Sequence, residues 1–289
     1  MTRPLRIIYP GAFYHVTSRG NAKASIYAND NDRDQFLFIL ADVIKKHHWR
    51  CHAYCLMGNH YHLVIETIDP TLSDGMRSLN GDYTQWFNAK HKRVGHIFQG
   101  RFKAFLIEEQ EYLLNVARYT VLNPVRANLV DGPADYRWSS YRATVGLDPA
   151  PDWLTTEKIL GQFSTHKVEA RRKYKQHVAE GIGLVSPFRD VEKQGVLGSE
   201  QFIAEMRDLV DSAFEVKEIT TTQRLVGRPT LELIFEGVTN REERNDGIIL
   251  ALNILGYSGE EVGKFLGLAA TTICRVAKLA RQKNHRSQT

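Results

Sequence analysis

Residues 50–67 read RCHAYCLMGNHYHLVIET, and this stretch decides the fold. Residues 50–57 and 60–67 are rich in aromatic, β-branched and small apolar side chains, which is typical of strands. Between them stands Gly58-Asn59, two residue types that favour a tight turn. The pattern therefore predicts a β-hairpin.

Alternation along the second strand of this hairpin separates its side chains into two sets. Tyr61, Leu63 and Ile65 should enter a core, while His60 and His62 should lie side by side on the opposite face. Two neutral imidazoles in that arrangement can hold one divalent metal ion. The alternative is a pair of surface histidines on a half-exposed strand, which an isolated His-x-His would favour.

The segments around the hairpin complete an α+β fold. In chain order the patterns predict a strand at 13–17, helices at 32–48 and 71–90, a strand at 102–108 and a helix at 109–122. Strand, helix, strand, strand, helix, strand is the ferredoxin-like βαββαβ plan. A helix is added after the last strand.

The length of 289 residues is enough for two domains. The Gly- and Pro-rich segment 145–151 predicts a boundary after an α+β domain at 1–150. A basic helical connector should cover 151–198, and an all-α domain should cover 199–289.

Composition limits the classes of partner. The 38 Lys and Arg against 33 Asp and Glu give a net charge of +5, which permits a polyanionic partner without requiring one. The three cysteines do not form a disulfide framework, and Cys51 and Cys55 are expected in the core. We find no stretch long and apolar enough for a membrane span and no signal peptide, so we expect a cytoplasmic protein without a membrane partner.

A second constellation lies in residues 118–124, which read RYTVLNP. Tyr119 and Asn123 are four residues apart, and on a helix this spacing puts them on one face. The Asn123 carboxamide oxygen can serve as a third, hard metal ligand beside the two imidazoles, with Tyr119 one turn away. Pro124 disfavours helical geometry at Asn123. The alternatives are a core aromatic for Tyr119 and a helix stop for Asn123-Pro124.

These residue types suit the cleavage of a phosphodiester. A metal held by two histidines and a neutral amide keeps open positions for phosphate oxygens and neutralises developing charge. A tyrosine hydroxyl that attacks phosphorus forms a phosphotyrosine and releases a free hydroxyl. The bond energy is stored in that linkage, so the same site could rejoin strands without ATP.

Five stretches resemble the REP-associated tyrosine transposases, relatives of the IS200/IS605 transposases in the HUH single-tyrosine superfamily. They occur in the family's order over roughly the first half of the chain, which is far more specific than any one of them. The stretches are YHVTSRGN (14–21), MGNHYHL (57–63), FQGRFK (98–103), RYTVLNPVRA (118–127) and WSSY (138–141).

The resemblance implies an HUH-type DNA transposase and single-stranded DNA endonuclease of the bacterial cytoplasm and nucleoid. It implies His60 and His62 as metal ligands, Asn123 as the third, and Tyr119 as the nucleophile. It further implies Mg²⁺ or Mn²⁺, a 5′-phosphotyrosine intermediate and REP-type palindromes folded as single-stranded hairpins. It leaves open a monomer or a homodimer.

Two other functions remain alternatives: a metal-dependent nuclease that uses water, and a non-catalytic, sequence-specific DNA-binding regulator.

Basic residues predict where a DNA strand would bind. Residues 89–104 carry five Lys or Arg and no acid, with aromatic rings interleaved, a composition that suits single strands. The alternative is a solvated loop. The candidate DNA-binding residues of this domain are Arg19, Lys90, Lys92, Arg93, Arg101, Lys103 and Arg126.

The C-terminal region predicts a helix-turn-helix at about 258–281. Ser258 to Glu261 fits a capping box, and Gly267 makes a turn between two amphipathic helices. The expected core residues are Val262, Phe265, Leu266, Ile273 and Val276.

The second of these helices should expose Thr271, Thr272, Arg275 and Lys278 to duplex DNA. The region resembles the C-terminal domain of replication initiators of the DnaA type. The alternative is a plain helical hairpin with a basic face.

Overall fold

A five-stranded sheet organises the first half of the molecule in the computed structural model, which describes residues 7–189, 195–206, 231–238, 240–254, 257, 259–273 and 275–276. The strand order is β2-β3-β1-β4-β5. The first four strands are antiparallel neighbours, and β5 runs parallel to β4. The strands are β1 (Ala12–Arg19), β2 (Trp49–Leu56), β3 (His60–Thr67), β4 (Lys103–Ile107) and β5 (Val196–Leu197).

This order confirms the predicted ferredoxin-like plan. In that plan the first strand lies between the third and the fourth, and β1 pairs with both β3 and β4. The short β5 was not predicted, because two residues carry no periodic pattern.

Helices cover both faces of the sheet. The first two, α1 and α2, lie on one face, and the others of the first half lie on the opposite face or at its edge. Their bounds are α1 (Asp30–Lys46), α2 (Leu72–His91), α3 (Glu109–Val121), α4 (Asn123–Arg126), α5 (Tyr141–Val145), α6 (Glu157–Leu160) and α7 (Lys167–Ala179).

The face that receives Tyr61, Leu63 and Ile65 forms a core with α1 and α2, as predicted. The opposite face is also covered, because α3 and α7 pack a second hydrophobic core against it. The side chain of His62 lies on this second face and is only 6% exposed. The alternative of a half-exposed strand is therefore wrong for His62.

The predicted connector contributes to the second core. Ile159 of α6 and Tyr174 and Val178 of α7 are buried there. These residues therefore pack as part of the first unit. The limits 1–150, 151–198 and 199–289 stay predictions.

Helix α1 begins two residues before its predicted start because of a capping box. The Asn29 side chain accepts a hydrogen bond from the Asp32 backbone, and the Asp32 carboxylate accepts from the backbone N–H groups of Ala28 and Asn29. Asp32 is fully buried and also accepts from Lys90 and His91 at the end of α2. The two helices are thereby joined through one carboxylate.

Smaller observations settle several predictions. Cys51 and Cys55 are buried free thiols, as expected, whereas Cys274 lies outside the described residues. Trp138 and Tyr141 are packed in the two cores. Within the described ranges, no helix combines the length and apolarity that crossing a bilayer requires.

The C-terminal region contains helices, as predicted. They pack around a small core of Ile248, Ala251, Val262 and Ile273. Their bounds are α8 (Leu231–Ile234), α9 (Arg241–Ile249), a π-helical turn (Leu250–Ile254) and α10 (Gly259–Leu266).

Two details of the predicted helix-turn-helix concern side chains. Gly267 has a φ of 65°, the left-handed conformation that a tight turn after α10 requires. The prediction of a buried Phe265 is wrong: its ring is 39% exposed and stacks on Phe235, because Val262 and Leu266 fill the inward face of α10. Ser258 of the predicted capping box lies outside the described residues.

Candidate active site

The two histidines of β3 lie beside the end of β1. His60 is paired in register with Arg19, and His62 with Thr17. Both rings occupy the second face of the sheet, with their centroids 4.9 Å apart. His62 is buried and His60 is half-buried at the strand end. The alternation predicted from sequence therefore produces the expected pair.

Each ring uses its Nδ1 for a hydrogen bond within the protein. Nδ1 of His60 is 2.6 Å from Oδ1 of Asn59, and Nδ1 of His62 is 2.9 Å from Nε2 of His15. Nε2 of His62 is buried and has no hydrogen-bond partner among the described residues. A buried polar atom without a partner costs free energy, so this nitrogen fits a ligand that the protein does not itself supply.

All three histidines are neutral at physiological pH. Burial lowers the pKa of His15 to about 3, and burial together with the charge of Arg19 lowers the pKa of His60 to about 4. Burial, followed by the neighbouring His15 and His60, lowers the pKa of His62 well below its ordinary value. The neutral imidazole is the form that binds a metal ion.

Tyr119 projects from α3 onto this cluster. Its ring stands edge-on to His62 and to His15, with centroid distances of 6.0 and 5.9 Å. The guanidinium of Arg126 lies over the Tyr119 ring at 4.8 Å from the centroid. The ring of Tyr119 is therefore in contact with two histidines and one cation while it remains half-exposed.

Asn123 begins α4, and the helical path continues through it despite Pro124. The backbone N–H of Leu122 donates to Arg118, and that of Arg126 donates to Leu122. Because Pro124 has no N–H, a carbonyl one turn earlier lacks its usual donor. The Asn123 side-chain nitrogen donates to the carbonyls of Tyr119 and Thr120 instead. Its amide nitrogen is thus used within the helix.

One cavity of about 930 Å³ brings the predicted catalytic residues together. His60, His62, Tyr119 and Asn123 all line it. Other predicted residues at its wall are the cations Arg19, Arg101 and Lys103. The wall also includes residues that were not predicted as site residues, among them His15, Phe188 and Arg189.

The residues described contain no group of three or more histidine, cysteine or carboxylate side chains arranged for a metal. A metal at this site would therefore need a third ligand of another type. The carboxamide of Asn123 lines the same cavity and has the chemistry of a hard oxygen ligand. The residues present fit a site of two imidazoles and one amide.

The remaining predicted cations of the first half lie elsewhere. Lys90 donates to buried Asp32 and lies 4.6 Å from the Trp86 ring centroid, and Arg93 lies over Phe87. Lys92 is exposed at the end of α2. These three residues are not among those that line the cavity, and neither is Arg126, which contacts the ring of Tyr119.

In the C-terminal region, Thr271, Thr272 and Arg275 are exposed on the second helix of the predicted motif. Lys278 lies outside the described residues.

His15 carried a signal that sequence reasoning did not use. Tyr14 and Val16 alternate with His15 and Thr17, and the ferredoxin-like plan places β1 next to β3. Those two facts put His15 on the face of the paired histidines. Phe188 and Arg189 carried none, because the loop after α7 has no periodic pattern.

The fold and the cavity define a class: a ferredoxin-like domain in which a histidine pair, one ring buried and one half-buried, shares a cavity with a tyrosine and several cations. Residues 9–121 match the model of the family described as "Transposase IS200 like". This matched stretch contains His60, His62 and Tyr119, so the part of the chain that builds the histidine pair and the tyrosine helix is similar to that family.

Solved structures show weaker likeness. A REP-associated tyrosine transposase bound to a REP hairpin is 19% identical with a TM-score of 0.45, over 54% of this chain and 94% of that one. The tRNA(His) guanylyltransferase of Saccharomyces cerevisiae is 11% identical with a TM-score of 0.33, over 60% of this chain and 79% of that one. Both TM-scores are below 0.5, so neither likeness bears on function. No curated protein is significantly similar to the sequence.

Proposed function

We propose that the protein cuts and rejoins single-stranded DNA at REP-type hairpins, as a divalent-metal-dependent transesterase with a 5′-phosphotyrosine intermediate. The observation that carries this proposal is the shared cavity. Tyr119 and the potential ligands His60, His62 and Asn123 come from two separate parts of the chain and line one space. A purely structural role for each residue gives no reason for that convergence.

The metal site rests on the chemistry of the donors. Neutral His60 and His62 would hold Mg²⁺ or Mn²⁺ together with the oxygen of Asn123, and Nε2 of His62 has no partner among the residues that the structure describes. When bound, such an ion supplies neutralisation of the charge that develops on the scissile phosphate.

The reaction balances with groups of this chain and the substrate. The Tyr119 oxygen bonds to phosphorus and loses its proton to solvent. The bond from phosphorus to the preceding 3′ oxygen breaks, and that oxygen takes up a proton. The 5′ phosphate remains on Tyr119 until another 3′-hydroxyl attacks it, which restores the tyrosine and closes a strand without ATP.

Substrate choice follows from the cavity wall and the motifs. Arg19, Arg101, Lys103 and Arg189 line the cavity and would bind the phosphates that flank the cut. The hairpin substrate follows from the motifs shared with the REP-associated tyrosine transposases.

A covalent-adduct assay tests the proposal. Protein, Mg²⁺ or Mn²⁺ and an end-labelled single-stranded palindrome from beside the protein's own gene are mixed and run on a denaturing gel. Wild type should form an adduct, and Tyr119→Phe and His62→Ala should not. Tyr112→Phe is the matched control, since Tyr112 lies on the same helix away from the cavity.

The same gel separates the alternatives. Cleavage without an adduct that survives Tyr119→Phe would indicate water as the nucleophile. DNA that is bound but uncut by every variant, with several palindromes, would indicate a regulator.

For the C-terminal region we infer duplex DNA binding through a helix-turn-helix. Helix α10, the turn at Gly267 and the exposed Thr271, Thr272 and Arg275 on the following helix support this inference. The monomer and the homodimer are both compatible with the cavity, and sedimentation of the full chain with and without a hairpin distinguishes them.

A further inference from the structure

His15 lies beside His62 within the sheet and is hydrogen-bonded to it. It lies on β1 in register with Val64 of β3 and Phe105 of β4, so it is diagonal to His62 on the same face. Its side chain is 2% exposed, and the two imidazoles are nearly parallel, with a centroid distance of 5.0 Å and an interplanar angle of 18°. Their contact is a hydrogen bond of 2.9 Å between Nε2 of His15 and Nδ1 of His62.

The direction of this hydrogen bond decides which nitrogen of His62 is free for a ligand. A neutral imidazole has one protonated nitrogen and one with a lone pair. If His15 accepts, His62 carries its proton on Nδ1 and presents the lone pair of Nε2 to the cavity. If His15 donates, Nε2 of His62 carries the proton and has no ligand capacity.

The contacts of His15 also fix the orientation of the His62 ring. Phe188 stacks on His15 with a centroid distance of 4.5 Å and an angle of 19°, and the Phe105 ring lies 6.3 Å from His15. His15 is therefore hydrogen-bonded to His62 at its edge and stacked on Phe188. A ring clamped in this way cannot turn without disturbing the others.

We propose that His15 is a positioning residue that accepts the Nδ1–H of His62 and thereby holds Nε2 of His62 deprotonated and aimed into the cavity. The proposal rests on the proposed function, since it assigns His15 a role through a metal ligand. Groups in this position set the tautomer and the basicity of metal-binding histidines, and their loss typically costs about 10- to 100-fold in metal affinity.

A matched pair of variants tests the role. His15→Gln and His15→Met have side chains of similar length and flexibility, but only glutamine can accept a hydrogen bond from His62. His15→Phe adds a variant that keeps the ring stack and removes the acceptor. The measurement is Mn²⁺ affinity of the purified full chain, followed by electron paramagnetic resonance of the free ion, with DNA binding in EDTA as a second readout.

We expect His15→Met and His15→Phe to weaken Mn²⁺ binding by about 10-fold or more, and His15→Gln to restore most of it. DNA binding in EDTA should be the same for all three variants. Equal Mn²⁺ affinity for glutamine, methionine and wild type would overturn the role of His15 and leave the metal site intact. A wild type that binds Mn²⁺ no better than His62→Ala would overturn the metal site itself, and this role with it.

Discussion

The guanidinium of Arg126 covers the ring of Tyr119 at 4.8 Å from its centroid, on the edge of the cavity. Nε of Arg126 is buried and has no hydrogen-bond partner among the described residues. Tyr119 also makes T-shaped contacts with His62 and Phe188. The orientation of the hydroxyl is therefore set by groups that surround its ring.

Arg126→Ala should slow adduct formation. A desolvated cation–π contact contributes about 1 to 2 kcal/mol, which corresponds to about 5- to 30-fold in a single-turnover rate if the stack orients the hydroxyl. Arg137→Ala is the matched control, because Arg137 stacks on Trp138 at 4.5 Å in another part of the molecule. Equal rates for the two variants would show that the Arg126 stack does not position Tyr119.

Asn123 has two separable tasks, one for each atom of its amide. Asn123→Asp keeps an oxygen ligand but loses the donor to the Tyr119 and Thr120 carbonyls, so Mn²⁺ affinity should be retained while the unfolding free energy falls by about 1 to 2 kcal/mol. Asn123→Ala removes both atoms, so it should lower both the Mn²⁺ affinity and the unfolding free energy. Calorimetric titration and urea unfolding of the same samples measure the two effects. If Asn123→Ala bound Mn²⁺ as tightly as the wild type, Asn123 would be excluded as a metal ligand.

Much of this site follows from short-range pattern. Alternation in β3 places His60 and His62 together, and helical spacing relates Tyr119 to Asn123. The order of elements predicts the ferredoxin-like plan, which determines that β1 and β3 are neighbours. Each of these relationships depends either on residues within one strand or helix or on the order of elements in the ferredoxin-like plan.

What sequence could not predict depends on long-range packing. Phe188 reaches His15 through a loop whose path is set by α7 and its packing on the second core. Lys90 belongs by composition to a basic stretch, yet its ammonium is bound to Asp32, a carboxylate far away in sequence. A count of charges does not distinguish a cation that is paired within the fold from one that is available to DNA.

Arg101 and Lys90 should therefore behave differently when truncated. Arg101→Ala should weaken binding of a single-stranded hairpin and reduce the slope of log affinity against log salt by about 0.7 to 1, because one phosphate contact is lost from the cavity wall. Lys90→Ala should leave that slope nearly unchanged and lower the melting temperature. Fluorescence anisotropy across a salt series measures the slopes. A reduced slope for Lys90→Ala alone would reverse the assignment.

Asp32 should make stability depend on pH in the acid range. Burial raises the pKa of its carboxyl, but hydrogen bonds from Lys90, His91 and the capped backbone outweigh that effect, so the pKa is lowered in the folded protein. The stabilisation is thus fully present above the ordinary Asp pKa of about 3.9 and is lost as pH falls through the folded value. Asp32→Asn should cost about 3 kcal/mol at pH 7 and much less near the acid end.

Urea unfolding at several pH values measures this difference. Asp34→Asn is the control, since Asp34 is exposed on the same helix and should change the unfolding free energy by less than about 0.5 kcal/mol. A difference between wild type and Asp32→Asn that grows as pH falls would contradict the proposed role of the ion pair.

Sequence-specific binding of duplex DNA by the C-terminal region should depend on Arg275 more than on Lys264. Arg275 lies on the second helix of the proposed motif and Lys264 lies on α10, and both are exposed. A recognition helix enters the major groove, whereas the preceding helix crosses the backbone. Arg275→Ala should therefore weaken sequence-specific duplex binding by about 1 to 3 kcal/mol, and Lys264→Ala should weaken binding to specific and random duplexes alike.

Selection of duplexes from a random pool by the full chain provides the specific sequence, and competition measurements then compare the variants. An equal loss on specific and random duplexes for Arg275→Ala would indicate a basic helical hairpin without base recognition.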